Sequence, residues 1–149
     1  PGLVGILGTG SNLAYYDGQK LIQKSPSLGY ILGDEGSGSY MGKLFLSAFL
    51  KGELDDDLCS KIKIDFQDVI QQVYHQKMPN KYLASFSKLM FRHRYHPQIA
   101  AIIQKNFSDW FQKDVLKYSE KEIAMVGSIA YYFNTELRQL AASYNFSIS

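Results

Sequence analysis

The sequence predicts one α/β domain, in which an antiparallel meander of strands is followed by a helical insertion and a strand–turn–helix unit. The glycine-rich turn at residues 8–11 and the dipeptide Asp17-Gly18 punctuate short apolar runs, which is typical of hairpins. Residues 65–110 instead space their apolar side chains as helices do. At 149 residues with 46% apolar content, the chain can build one packed core but not two large ones.

The first three strands are predicted from apolar runs bounded by turn residues. Residues 3–7 fit a strand that is buried on both faces, and residues 12–16 and 19–23 fit the second and third strands. Between these two lie Asp17 and Gly18, which favour a two-residue hairpin turn because glycine adopts positive φ without strain.

Helices are predicted for most of the middle of the chain. Residues 40–50 form an apolar helix, with Ser37 or Ser39 as its N-cap. A helical subdomain of roughly four short helices follows at about residues 65–118. Proline is favoured at the first position of a helix, so Pro79 and Pro97 mark helix starts in this subdomain.

The chain then returns to the sheet with a strand at residues 122–126, a turn at Gly127-Ser128 and a helix at residues 129–142. This order places the turn at the carboxyl edge of the sheet, where open α/β sheets bind their ligands. Ile148 lies where a further strand begins. The first residues lead directly into a strand, so we expect the chain to be a piece of a longer polypeptide.

The first glycine-rich turn, Gly8-Thr9-Gly10-Ser11, can donate successive N–H groups and two hydroxyls to a polyphosphate or a sugar. It lacks the lysine of a P-loop and joins two strands, so it is not a P-loop. A tight β-turn that merely needs glycine explains the same residues, and both interpretations stay open.

The second turn places two adjacent carboxylates, Asp34 and Glu35, between Gly33 and Gly36. Carboxylates in such a turn accept hydrogen bonds from sugar hydroxyls or hold a divalent cation through water. The alternative is that both acids only favour the positive end of the following helix dipole. That alternative explains the charge but not the glycines.

Composition argues against several classes of partner. The formal net charge is +2 and basic residues are spread along the chain, which disfavours nucleic acid and anionic membranes as partners. No run of about 18 apolar residues is present, so we expect a soluble protein. A single cysteine, Cys59, favours a cytoplasmic setting.

His93 and His96 are expected to be a solvated helix end rather than a metal pair, because arginines flank them.

Three segments in this order resemble the N-acetylglucosamine kinase and BadF/BadG ATPase family, which belongs to the superfamily of actin, hexokinase and the Hsp70 chaperones. They are Gly8-Thr9-Gly10-Ser11-Asn12, the segment at residues 28–38, and Val126-Gly127-Ser128-Ile129-Ala130. The resemblance covers essentially residues 1–149. It implies a ribonuclease H-like (actin-like ATPase) lobe, namely the second, C-terminal lobe of a two-lobe protein.

The resemblance also implies roles for particular residues, in three groups. Those implied to hold ATP are Gly8, Thr9 and Gly10 at the phosphates and Gly127 and Ser128 at the adenosine. Those implied to bind the sugar are Ser11, Asn12, Gly29 and Asp34. Mg²⁺ is implied as a cofactor, although no metal ligands are identified. The first lobe, with its own phosphate hairpin and the aspartate that acts as general base, is not matched by anything here, so the isolated chain should be inactive.

The sequence therefore predicts ATP-dependent phosphorylation of an amino sugar such as N-acetylglucosamine. One alternative is an ATPase activator of a radical enzyme, which Cys59 as the single cysteine disfavours because cluster ligation needs several thiolates. Another is a sensor that binds sugar or nucleotide without turnover. Whether the protein forms a homodimer is left open.

Overall fold

The computed structural model describes residues 1–23 and 25–149. Over these residues it contains one mixed sheet of five strands in the order β3-β2-β1-β4-β5. The strands are β1 (Gly2–Leu7), β2 (Ser11–Tyr16), β3 (Leu21–Gln23), β4 (Glu122–Val126) and β5 (Ser147–Ile148). The first three form the predicted antiparallel meander, and β4 lies parallel to both β1 and β5.

Helices fill the rest of the fold. In the described part of the chain they are α1 (Gly29–Leu32), α2 (Gly38–Leu50), α3 (Asp56–Ser60), α4 (Phe66–Tyr74), α5 (Pro79–Ser85), α6 (Ser87–Arg92), α7 (Pro97–Lys113), α8 (Ser128–Tyr132) and α9 (Asn134–Ser143), with a 3-10 turn at Val115–Lys117. Helices α4 to α7 form the predicted helical segment, and α5 and α7 begin at their prolines as expected. The Ser37 hydroxyl caps α2 by accepting the Tyr40 N–H.

The predicted two-residue hairpin turn between β2 and β3 is wrong. Tyr16 pairs with Leu21, so the loop has four residues and β3 begins two residues later than expected. One carboxylate oxygen of Asp17 accepts the N–H groups of Gln19 and Lys20, both at 2.8 Å. A side chain that satisfies two loop amides stabilises the longer turn.

Two further predicted elements, β1 and the last helix, differ in the structure, and a short surface helix precedes the second glycine-rich turn. Strand β1 is buried on one face only, because its residues alternate between fully and partly buried positions. The apolar residues before the second glycine-rich turn form α1, a single helical turn at the surface, with Ile31 71% and Leu32 74% exposed. The predicted helix at residues 129–142 is interrupted at Phe133, which separates α8 from α9.

The buried face of the sheet packs against α7 through a contact that only glycine permits. A Cβ atom at Gly5, in β1, would lie 2.7 Å from the ring of Trp110, which is in α7 and almost completely buried. Gly36 approaches the same indole, with its Cβ position 3.0 Å away. The two glycines leave room for the large aromatic side chain, whose burial is a major contribution to the core.

Helices α2 and α5 cross at an equally close contact. A Cβ atom at Gly42 would overlap the carbonyl oxygen of Leu83. The helical segment is thereby held against α2, the helix that begins beside the first glycine-rich turn. None of the described helices is both long enough and apolar enough to cross a lipid bilayer.

We expect the substitution Gly42→Ala to lower the free energy of unfolding by about 1–3 kcal/mol, although alanine is the better helix former, because α5 must move away from α2. The matched control is Gly2→Ala, where an added Cβ meets no described atom within 4 Å. Denaturant unfolding of both variants measures the difference. Equal stability of the two variants would contradict the close helix crossing.

Candidate functional site

The first glycine-rich turn, residues 8–10, is held by the beginning of α2. The Gly38 N–H donates to the Gly8 carbonyl at 2.7 Å, and the Ser39 N–H donates to the Thr9 carbonyl at 3.1 Å. Both donors lie in the first turn of a helix, where N–H groups have no partner inside the helix itself. The turn therefore provides the acceptors that the helix end needs.

These two bonds determine the direction of the next two N–H groups. No described peptide bond is cis, and in a trans peptide the carbonyl and the following N–H point in opposite directions. Since the Gly8 and Thr9 carbonyls point towards α2, the N–H groups of Thr9 and Gly10 point away from it. Two successive N–H groups that point to the same side are a typical anion-binding arrangement.

A cleft of about 230 Å³ lies beside this turn and contains three of the residues predicted to hold ATP, Gly8, Thr9 and Ser128. Gly127, the residue before Ser128, has φ +107°. A Cβ atom at Gly127 would overlap the Leu7 carbonyl. Glycine at this position lets the turn after β4 lie directly on β1. Gly10 is on the other side of the turn and faces Asp34.

An aromatic cavity of about 280 Å³ adjoins the cleft, and the two share Lys88, Ser128 and further lining residues. Its walls include Phe91 and Tyr132, whose ring centroids are 5.8 Å apart. A planar base can pack on such walls through its ring face. Beyond these two rings, which line both spaces, the aromatic cavity extends towards Arg94 into a space of about 530 Å³.

The second glycine-rich turn brings its carboxylate to the end of the first. Asp34 has φ +59°, in the left-handed region, and its Oδ1 accepts the Ser11 N–H at 3.2 Å. A Cβ atom at Gly10 would lie 3.1 Å from Asp34 Oδ2. Positive φ at a residue other than glycine is uncommon, and such residues cluster at functional sites.

A third cavity, of about 250 Å³, contains three of the four residues predicted to bind sugar, Ser11, Asn12 and Asp34. Its other polar side chains are those of Ser25, Glu35, Lys113, Asp114 and Lys117. Gly29 is not among the lining residues. It has φ +78° at the start of α1, and its carbonyl accepts the Gly33 N–H at 2.8 Å, so it shapes the loop that precedes Asp34.

The alternative role of the two acids as caps of α2 is not what the geometry shows. The Ser37 hydroxyl makes the capping bond to Tyr40. The Asp34 carboxylate instead bonds across to the first turn, and Glu35 is buried in the wall of the third cavity. Both carboxylates therefore belong to the cavity rather than to the helix end.

The sequence did not predict Asn106, whose side chain holds the second turn by hydrogen bonds to its backbone. The side chain of Asn106 is fully buried in α7, where its Oδ1 accepts the Gly36 N–H at 2.9 Å and its Nδ2 donates to the Ser37 carbonyl at 3.2 Å. The sequence signal is one polar residue directly before Phe107, on the apolar face of a helix. Buried amides of this kind are retained where both their groups are satisfied.

A second polar link joins α2 to α7 near the same end. The Tyr40 hydroxyl donates to Asp109 Oδ2 at 2.7 Å, and Lys105 pairs with the same oxygen at 3.1 Å. Burial, reinforced by the hydrogen bond to the Asp109 carboxylate, raises the pKa of Tyr40, so its hydroxyl stays protonated and keeps this bond at ordinary pH.

No metal centre is built by the described residues, since no three His, Cys, Asp or Glu side chains among them lie close enough to hold an ion. His96 caps α7, because its Nδ1 accepts the Gln98 N–H, and its Nε2 lies 2.8 Å from Asp55.

Two solved structures resemble the chain over 99% of its length. One is a protein from Porphyromonas gingivalis named "putative N-acetylglucosamine kinase", with 33% identity and a TM-score of 0.93. Over the length of this chain, the likeness to that protein is one of sequence as well as of fold. The second, a protein of the same name from Chromobacterium violaceum, has 21% identity and a TM-score of 0.70, and it supports the fold alone.

The chain spans about half of these two neighbours, 54% of the first and 55% of the second. No family model and no curated protein matches it. The first neighbour confirms the resemblance to N-acetylglucosamine kinases that the three sequence segments predict. The ribonuclease H-like class and the BadF/BadG relationship stay predictions.

We expect Asn106→Leu to lower the free energy of unfolding by at least about 2 kcal/mol, because it leaves the Gly36 N–H and the Ser37 carbonyl buried without this partner. Gln104→Leu, at an exposed position of the same helix, is the control. Hydrogen exchange at the Gly36 amide should accelerate only in the first variant. Unchanged protection of that amide would contradict the anchoring role of Asn106.

Proposed function

We propose that the chain is the C-terminal lobe of a kinase that transfers the γ-phosphoryl group of ATP to an amino sugar such as N-acetylglucosamine. The observation that carries the proposal is the bond between Asp34 and the Ser11 N–H. It makes the carboxylate of the sugar cavity a direct neighbour of the anion-binding turn. Phosphoryl transfer needs this proximity between acceptor and phosphate.

The nucleotide is proposed to lie along the first two cavities. The phosphates accept hydrogen bonds from the N–H groups of Thr9 and Gly10, and the Thr9 hydroxyl is a side-chain contact. The adenosine packs beside Gly127 and Ser128, with its base against the aromatic cavity. Gly8 leaves this face open, because a Cβ atom there would meet no described atom within 4 Å.

The sugar is proposed to occupy the third cavity. Asp34 accepts hydrogen bonds from its hydroxyls or from the N-acetyl N–H, and Ser11 and Asn12 contact the same ring. Gly29 contributes indirectly, through the loop that carries Asp34. An acceptor-only carboxylate distinguishes hydroxyl and amide donors from carbonyl groups, which gives the cavity its preference for sugars.

When bound, MgATP supplies the phosphoryl group and the cation that offsets its charge. The N–H groups of the first turn stabilise charge on the phosphate oxygens, and they need no reorganisation because α2 already holds the turn. We expect the general base in the remainder of the polypeptide, since the chain spans about half of its structural neighbours. A cytoplasmic setting is proposed from the single, free Cys59.

The deciding experiment is a coupled ADP-release assay on the full-length polypeptide, with MgATP and a panel of N-acetylated and plain hexoses. We expect ADP release that depends on an N-acetylated sugar and gives a phosphorylated sugar detectable by mass spectrometry. Hydrolysis that is independent of sugar would favour an ATPase activator. Binding without turnover would favour a sensor.

The variant Asp34→Asn tests the sugar assignment. Asparagine tolerates the left-handed backbone and keeps an oxygen for the Ser11 N–H, so the free energy of unfolding should stay within about 0.5 kcal/mol. Loss of the charged acceptor should raise KM for the sugar roughly tenfold while KM for ATP changes little. Asp57→Asn, at an exposed position, is the control. A large loss of stability with unchanged sugar KM would make Asp34 a structural residue.

A further inference from the structure

The helical segment contributes two lysines to the cleft beside the first turn. Lys81 of α5 and Lys88 of α6 both line it, opposite Gly8 and Thr9. Three serines and a threonine line the same cleft, and no carboxylate does so among the described residues. The cleft thus combines two residues of the first glycine-rich turn, several hydroxyl groups and two cations.

Packing between helices fixes α5 over the turn. A Cβ atom at Gly38 would lie 3.1 Å from the Cβ of Ala84 and 3.3 Å from the Gly8 carbonyl oxygen. Ala84 and Lys81 are three residues apart, so they share a face of the helix. The same contact that brings α5 close to the turn therefore places Lys81 on the side that faces it.

Both lysines are free to meet an anion. In the part of the chain that the structure describes, neither Lys81 nor Lys88 forms an ion pair, whereas Lys61 and Lys105 do. Both side chains are exposed at the cleft. An ammonium group without an ion-pair partner, beside a turn that offers N–H groups to an anion, can form charge-assisted hydrogen bonds to phosphate oxygens.

We propose that Lys81 and Lys88 close the phosphate site from the side of the helical segment and bind different parts of one nucleotide. Lys88 also lines the aromatic cavity, whereas Lys81 lines only the cleft. Lys88 therefore lies at the boundary between base and phosphates and contacts the α-phosphate. Lys81 lies farther from the base and contacts the terminal phosphates. This assignment rests on the proposed nucleotide function.

The test is calorimetric binding of adenosine, AMP, ADP, ATP and inorganic tripolyphosphate to the full-length protein and to Lys81→Met and Lys88→Met. Methionine keeps most of the apolar stem and removes the charge. Lys63→Met, at an exposed lysine outside the cleft, is the matched control. Thermal unfolding of each variant checks that the fold is retained.

We expect Lys81→Met to weaken ATP binding about tenfold and to leave AMP binding within about twofold of the wild type. Lys88→Met should weaken AMP, ADP and ATP alike, and adenosine should bind equally to every variant. ATP binding by folded lysine variants that matches the wild type would overturn this inference and leave the kinase proposal intact.

Two other outcomes separate the proposals further. Tripolyphosphate binding that needs both lysines, with no binding of adenosine or its nucleotides, would support the phosphate site but remove the ATP-dependent kinase. A wild-type protein that binds neither nucleotide nor tripolyphosphate would overturn both proposals. Equal losses of AMP and ATP affinity in Lys81→Met would refute the assigned order of the two lysines.

Discussion

The arrangement of the site depends on the two hydrogen bonds between the start of α2 and the carbonyls of Gly8 and Thr9. The first N–H groups of a helix have no acceptor within the helix, and the carbonyls of the turn between β1 and β2 accept two of them. When the carbonyls of the turn accept these N–H groups, the N–H groups of Thr9 and Gly10 point away from α2. The chemistry of the turn is thus a consequence of how the helix end is satisfied.

The helical segment α4 to α7 also holds the second glycine-rich turn and α2 in place. Asn106 holds the second turn, and the close crossing at Gly42 holds α5 against α2. Both contacts require a particular residue, an amide with two functions or a residue without a side chain. The segment therefore forms one wall of the cleft, and close packing places α5, which carries Lys81, against α2.

The sequence was sufficient for the meander and for the proline-initiated helices, because glycine, proline and apolar spacing act locally. It misjudged the loop after Tyr16, where the Asp17 side chain stabilises a longer turn than the dipeptide suggests. Asn106 and the two lysines of the cleft, Lys81 and Lys88, could not be identified, since their neighbours lie about 40 to 80 residues away along the chain. The sugar-binding role that the resemblance implies for Gly29 stays a prediction, and the structure places this residue in the loop before Asp34, outside the lining of the cavity.

Asp34 has consequences beyond recognition, because the same carboxylate serves a ligand and the protein's own backbone. Its Oδ1 accepts the Ser11 N–H at the end of the turn proposed to hold phosphate. A sugar that draws on this oxygen changes the electron density and position of an acceptor to which the turn is attached. Thermodynamic linkage makes such an effect mutual, so each ligand would alter the affinity for the other. If both ligands bind as proposed, this one hydrogen bond links the two halves of the site.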